Sequence, residues 1–417
     1  HEPTSPSSLT AAAMSWSGHG HYFGPASIGA ADQIAVELPV PSDRRAAARF
    51  HYGRGEIERA AELQGQIMAG EQPTADDYLF MGLVHHASAN PSAAIALLQD
   101  GIARFPDNAA MHENLAVVLL AAGAHAAAVQ AAEAALALGS ASPNLHDCLC
   151  EAQERLGRPD VAVAAGRASL EAKDRLFGRV ETNVRIPAGR PQPFNPDLPA
   201  QNLIVYTLWG DDRCYRVPLA ENARILSHLF PGWTMRVYHD TAVDPGFLAD
   251  LASMGVQLCP KTLPPGVPAH RRLLWRFEPI ADPTVRRFLI RDADSLLSVK
   301  ERVAVDAWLA SSAYFHAMRD WYTHTDLLLA GMWGGVGGIL PGPEVLLTAY
   351  SNWRAETNHI DQDLLSETVW PIVRNSILIH DSIFQPCLGS VPFPPFGALL
   401  PGHHIGQNAF LNFRKTG

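Results

Sequence analysis

An all-α helical repeat array followed by a mainly parallel α/β domain is the fold class that the sequence predicts, on three observations. Residues 45–175 are rich in Ala, Leu, Glu and Gln with apolar positions at helical spacing, whereas 200–417 carry short β-branched or aromatic runs broken by Gly and Pro. The helical half repeats with a period of 34 residues. The second half alternates strand-like runs with amphipathic segments, the pattern that builds a parallel sheet covered by helices.

The elements follow in order. Residues 1–38 show no clear period; His19 and His21 in GHGHYFG are a weak metal motif and read better as part of a surface extension. A helical domain is expected over 39–184. Blocks starting at 39, 73, 107 and 141 place Ala60, Ala94, Ala128 and Ala162 in one column and Gly55, Gly123 and Gly157 in another, with Ala89 standing where the second block would carry the glycine. Alanine permits close helix approach, and glycine takes the left-handed turn conformation. Five prolines in RIPAGRPQPFNPDLP (185–199) forbid a helix or central strand and predict a linker or tethering loop. From 200 to 417 the runs 202–208, 234–239, 256–260 and 286–292 read as strands, with 218–230 as an intervening helix.

Composition excludes several functions. The chain has 417 residues, is 47% hydrophobic and carries a formal charge of −10, with no basic run interleaved with aromatics, so a nucleic-acid partner is not expected. Cys148, Cys150, Cys214, Cys259 and Cys387 are scattered without metal spacing. With no run of 18 apolar residues and no signal-like start, they predict reduced thiols in a cytoplasmic protein without a membrane span. No G-x-G-x-x-G follows the first strand and no P-loop occurs, which disfavours dinucleotide and P-loop chemistry. Hydrolase elbows and zincin helices are also missing: HHIG at 402–405 lacks the glutamate.

The residues that carry chemistry begin at RDADSLL, 291–297. Asp292 and Asp294, two apart after an apolar strand, point the same way and repel unless a metal ion or a cation such as Arg291 compensates them. AYFHAMRDWYTHTDLLLAGMWGG, 313–335, concentrates His316, Arg319, Asp320, Trp321, Tyr322 and His324 before Gly334 and Gly335, a mixture suited to a sugar ring. Arg271, Arg272 and Arg276 lie on an expected helix before the carboxylate strand, and Arg276 is a candidate for nucleotide phosphates.

The repeat period and columns resemble tetratricopeptide repeats over about 39–174. Such arrays stack into a solenoid that docks a peptide or a subunit; packing against the second half, or pairing with a second copy of the chain, is the competing role. The Asp-x-Asp after a central strand resembles the nucleotide-sugar glycosyltransferases of GT-A fold. HIDQDLLSE (359–367) looks like the Asp-Gln-Asp-x-Leu stretch of glycosyltransferase family 8, and IHDS (379–382) matches its late histidine. Where that family carries Asn-x-Gly, this chain has LLAGMWGGVGG, 328–338.

The resemblance implies a site. Asp292, Asp294 and His380 would bind Mn²⁺ or Mg²⁺, and Asp361, Gln362 and Asp363 would lie at the anomeric carbon. Thr207, Leu208, Trp209, Arg276, Arg291, His316, Arg319, Asp320, Gly334 and Gly335 would contact the donor. The expected activity is transfer of a sugar from a nucleotide-diphosphate donor to a glycan or protein, with retention favoured over inversion. An inactive repeat scaffold and a metal-dependent nucleotidyltransferase or phosphodiesterase are the alternatives.

Overall fold

The computed structural model describes residues 41–70, 72–351, 359–397 and 402–409. The extension with His19 and His21 lies outside them. The chain divides into two compact units, with the break between Ser169 and Leu170.

The first unit is made of helix pairs: α1 (Arg44–Gly53) with α2 (Ile57–Met68), α3 (Ala75–Ala87) with α4 (Pro91–Arg104), α5 (Ala109–Ala121) with α6 (His125–Ala137), and α7 (Pro143–Arg155) with the start of α8 (Pro159–Phe177), whose residues from Leu170 on belong to the second unit. Side-chain oxygens of Asp43, Thr74, Asn90 and Asn108 cap the starts of α1, α3, α4 and α5. The alanine column is fully buried: Ala60, Ala94, Ala128 and Ala162 are each 0% exposed. Gly55, Gly123 and Gly157 take φ of +77°, +76° and +71° in the inter-helix turns. Ala89 occupies the same turn position with φ +53°, so the second repeat keeps the turn without its glycine.

In the second unit a seven-stranded sheet has the order β3-β2-β1-β4-β6-β5-β7. The strands are β1 (Asn202–Leu208), β2 (Thr234–His239), β3 (Gln257–Pro260), β4 (Arg287–Arg291), β5 (Phe315–Arg319), β6 (Met332–Gly335) and β7 (Ile377–Asp381). All neighbours run parallel except β6, which is antiparallel to both β4 and β5. The aromatic and polar 313–335 segment, expected to line a pocket, thus contains two central strands. Residues 269–281, expected as a helix, form 3-10 turns with Pro279 inside.

Each sheet face has its own core. Leu203, Val205, Phe288, Ile290 and Ile379 pack with Phe277, Ile280 and Leu364; Ile204, Tyr206, Leu208 and Leu289 pack with Leu219, Val305 and Trp308 on the opposite side. The helices of that opposite side are α9 (Arg213–Leu229), α10 (Pro245–Ser253) and α11 (Val299–Ala310). The first face is covered by the 269–281 turns, α12 (Pro343–Ser351) and α13 (Ile360–Leu364).

The proline-rich 185–199 segment is irregular, as its prolines require, and lies on the second unit. Phe194 stacks on Trp233 with centroids 5.4 Å apart, and Asn202 Nδ2 donates to the Asn195 carbonyl at 2.9 Å. Residues just before it also belong there: Lys173 Nζ donates to Asp326 Oδ1 at 2.8 Å, and Arg374 Nη2 pairs with Asp174 at 2.9 Å.

Candidate functional site

The chain runs β1, β2, β3 toward one edge and then returns to place β4 on the other side of β1. At such a reversal the loops leaving the two strands diverge and open a crevice at their carboxyl ends, where ligands of open α/β sheets bind. Thr207, Leu208 and Trp209 leave β1 there, and Asp292 and Asp294 leave β4. Val205 pairs with Ile290 across the two strands, so Thr207 and Asp292 each stand two residues further along, on the same face. Thr207 is 7% exposed and its buried hydroxyl has no hydrogen-bond partner. Leu208 points the other way, into the core under α9.

Arg276 joins two carboxylates at this end of the sheet. Nη1 bonds Asp292 Oδ1, and Nη2 donates to Asp361 Oδ2 at 2.7 Å. The guanidinium is 5% exposed, Asp361 9%, and Asp292 41%. Burial pulls the Arg276 pKa down, but the two carboxylates outweigh it and the net shift is upward. The cation beside the carboxylates is therefore Arg276, expected at the nucleotide phosphates, and not Arg291, the cation the sequence placed beside the pair. The side chain of Arg291 alternates to the opposite face, where Nε bonds Glu301 of α11 at 2.5 Å and Nη1 the Trp333 carbonyl at 3.0 Å.

Asp294 receives 2.8 Å from Asn408 Nδ2. Burial, reinforced by the charge of Asp292, pushes its carboxyl up to about 7. Gln362 turns its side chain to the 328–330 backbone: Nε2 donates to the Leu328 carbonyl, and Oε1 accepts from Ala330 N at 3.0 Å. Asp363 lies 3.4 Å from the Tyr350 hydroxyl. Gly331, which sequence reasoning passed over, is required by Asp292: an added Cβ would overlap Asp292 Oδ2.

Several expected residues stand elsewhere. His380 is on β7, three strands from β4, a separation of about 14 Å at roughly 4.8 Å per strand. Its Nδ1 lies 2.9 Å from His316 Nε2, and the His316 ring stacks on Trp308 of α11 at 5.6 Å. Both histidines thus face the α11 side, away from Asp361. Burial pulls His380 down to about 4 and His316 well below its ordinary value. Among the described residues no three His, Cys, Asp or Glu side chains converge as a metal site.

Arg319 is buried and ties down the Asp326 and Leu327 carbonyls at 2.9 and 2.7 Å. Asp320 ends β5 and is held by Lys300, by Ser382 Oγ at 2.6 Å and by Ile405 N at 2.8 Å. Gly334 and Gly335 lie inside β6, where the space beside them is filled by Leu289, Phe288 and Phe315. Close core packing, not approach to a sugar, explains those two glycines.

Asp240, at the end of β2, was also missed. Its Oδ1 accepts from Ala242 N at 3.0 Å and Gly210 N at 3.4 Å, and its Oδ2 lies 3.2 Å from Arg272 Nε, so it anchors the loop that follows β1. A signal for it existed: like Asp292, it is a carboxylate immediately after a β-branched and aromatic strand. No disulfide joins the cysteines among the described residues. No helix there is long and apolar enough to cross a membrane.

The chain therefore combines a tetratricopeptide-like helical repeat unit with a mixed α/β sheet. A tetratricopeptide repeat model matches residues 81–143. No curated protein matches the chain. Among solved structures, MamA is similar at 22% identity, covering 32% of this chain and 78% of that one with a TM-score of 0.31. A tetratricopeptide protein of Thermus thermophilus is similar at 23% identity, covering 32% and 75%, with a TM-score of 0.29. An O-GlcNAc transferase of Thermobaculum terrenum is similar at 18% identity, covering 52% of this chain and 40% of that one, with a TM-score of 0.34.

Proposed function

We propose that the α/β unit is a glycosyltransferase that uses a nucleotide-diphosphate sugar and a divalent cation. One observation carries this reading: Asp292 and Asp294 follow the strand beside the reversal of the sheet, and Arg276 links Asp292 to Asp361 of the Asp-Gln segment. Residues from three stretches of sequence thus meet at Arg276, and the neighbouring strand β1 carries a buried hydroxyl, Thr207 Oγ1, that has no partner.

The donor set suits a hard cation. Two carboxylates, one held near pH 7 by burial and by its neighbour's charge, repel each other, and Mn²⁺ or Mg²⁺ relieves that repulsion. Asp292 and Asp294 would hold the ion, which neutralises charge on the leaving diphosphate. Arg276 would add its positive charge beside the same phosphates while keeping Asp361 oriented. Asp361, on the second arm of Arg276, would lie at the anomeric carbon, and Gln362, bonded to the 328–330 backbone, would help wall the sugar. Retention with Asp361 at the anomeric face is favoured; as a general base on an acceptor hydroxyl, Asp361 would serve inversion instead.

The helical repeats would recruit a glycan or protein acceptor, or a second copy of the chain. The direct test incubates the protein with a panel of nucleotide sugars and Mn²⁺ and measures release of nucleoside diphosphate. Release that needs Mn²⁺ and is lost in Asp292→Asn and Asp294→Asn supports the reading; equal release from the variants rejects it.

A further inference from the structure

The segment 402–409 runs across the carboxyl ends of β4 and β5. Its side chains and backbone are fixed there by four independent contacts. His404 stacks on Trp321 with centroids 5.0 Å apart, and Ile405 is 4% exposed in a cluster with Ala304, Met318 and Met332. Ile405 N donates to Asp320 Oδ2 at 2.8 Å. Gly406 takes φ +79°, and an added Cβ would stand 2.5 Å from Met332 Sδ, so the strap can cross here only as glycine.

The next contact falls on the carboxylate pair. Asn408 Nδ2 donates to Asp294 Oδ2 at 2.8 Å, Ala409 N donates to the Asp294 carbonyl at 2.9 Å, and Asn408 bridges Ser295 in antiparallel fashion. We infer that Asn408 is a positioning residue for the cation site, supplied by the C-terminal strap: its amide fixes the Asp294 carboxylate through Oδ2 and leaves Oδ1 to face the ion. This inference rests on the proposed divalent-cation site. An uncharged donor is the suitable partner there. A lysine would neutralise the carboxylate, and an aspartate would repel it, whereas an amide orients it and keeps its charge.

The test titrates the full chain with Mn²⁺ alone by calorimetry, in wild type and Asn408→Ala, and records the thermal unfolding of both in EDTA. Loss of a group that orients a metal ligand typically lowers affinity by about 10- to 100-fold, and that loss is expected for Asn408→Ala with metal-free unfolding shifted by only a few degrees. Asn408→Leu keeps the bulk and removes the donor; it is expected to show the same loss, and it decides the matter if the alanine variant does not fold. A lowered unfolding temperature with unchanged Mn²⁺ affinity would overturn the inference, because Asn408 would then only fasten the strap. Absence of Mn²⁺ binding by the wild-type chain would overturn the cation site itself, and that outcome is visible before any variant is compared.

Discussion

Arg276 Nη2 donates to Asp361 Oδ2 at 2.7 Å, joining residues 85 positions apart in a pair that is less than a tenth exposed on both sides. The other arm of the same guanidinium reaches Asp292. A planar fork that bridges two carboxylates has no equivalent in an ammonium.

Replacing Arg276 with alanine therefore leaves Asp361 buried without its cation. Breaking a buried pair from one side costs about 3–5 kcal/mol, and Arg276→Ala is expected to lower the unfolding transition of the α/β unit by the lower end of that range, since Asp292 remains half in solvent. Arg276→Lys should recover only part of it. Thermal unfolding followed by circular dichroism checks both; a loss of under about 1 kcal/mol would place the pair among surface bridges.

Asp294 gives the metal-free protein a distinctive pH dependence. Its carboxyl is raised to about 7 when folded, against an ordinary value of 3.8. Below about pH 4 both states are protonated and the group contributes nothing. Between about 4 and 7 the folded state retains a proton that the unfolded chain has lost, so stability falls as pH rises through that window. In EDTA, Asp294→Asn should flatten this slope relative to wild type; parallel slopes in the two proteins would show that Asp294 is not the group responsible.

Ala89 is the exception in the repeat turns, with φ +53° where the matching positions carry glycine. A left-handed non-glycine residue costs on the order of 1 kcal/mol, so Ala89→Gly should stabilise the helical unit by about that amount. Ala94→Gly, in the buried column on the following helix, should destabilise it by a similar or larger amount. Differential scanning calorimetry separates the two signs.

The division between the units predicts where the chain can be cut. A chain starting at Leu170 keeps the Lys173–Asp326 and Asp174–Arg374 pairs and the packing of Phe177, Val184 and Ile186. One starting at residue 190 loses all of these. The first is expected to unfold cooperatively and to bind nucleoside diphosphate; the second should be markedly less stable or insoluble. Equal melting of the two would show that residues 170–189 add nothing to the α/β core.

Local pattern made much of this architecture readable. The runs at 202–208 and 234–239 are strands with those same bounds, because their β-branched and aromatic residues, bounded by turn residues, mark strands without tertiary information. The alanine and glycine columns were equally plain, since each repeat makes the same contact. What pattern could not convey was which strand lies beside which. His380 does end a strand as expected, yet β7 pairs with β5 and not with β4, so its imidazole meets His316. Arg291 follows from period-two alternation, which turns adjacent residues to opposite faces and delivers it to Glu301. Asn408 had no local signal at all, because its relation to Asp294 spans 114 residues. Gly334 and Gly335, expected to contact the donor, stand inside a central strand instead; their reason is the bulk of Leu289, Phe288 and Phe315 beside them.

In the proposed reaction Asp292 and Asp294 hold a divalent ion against a donor diphosphate. Calorimetric titration of nucleoside diphosphate into the protein, with and without Mn²⁺, in wild type and Asp294→Asn, addresses it most directly. Binding is expected to strengthen at least tenfold, about 1.4 kcal/mol, when Mn²⁺ is present in wild type and to gain nothing from Mn²⁺ in the variant. Equal enhancement by Mn²⁺ in both proteins, or none in wild type, would contradict it.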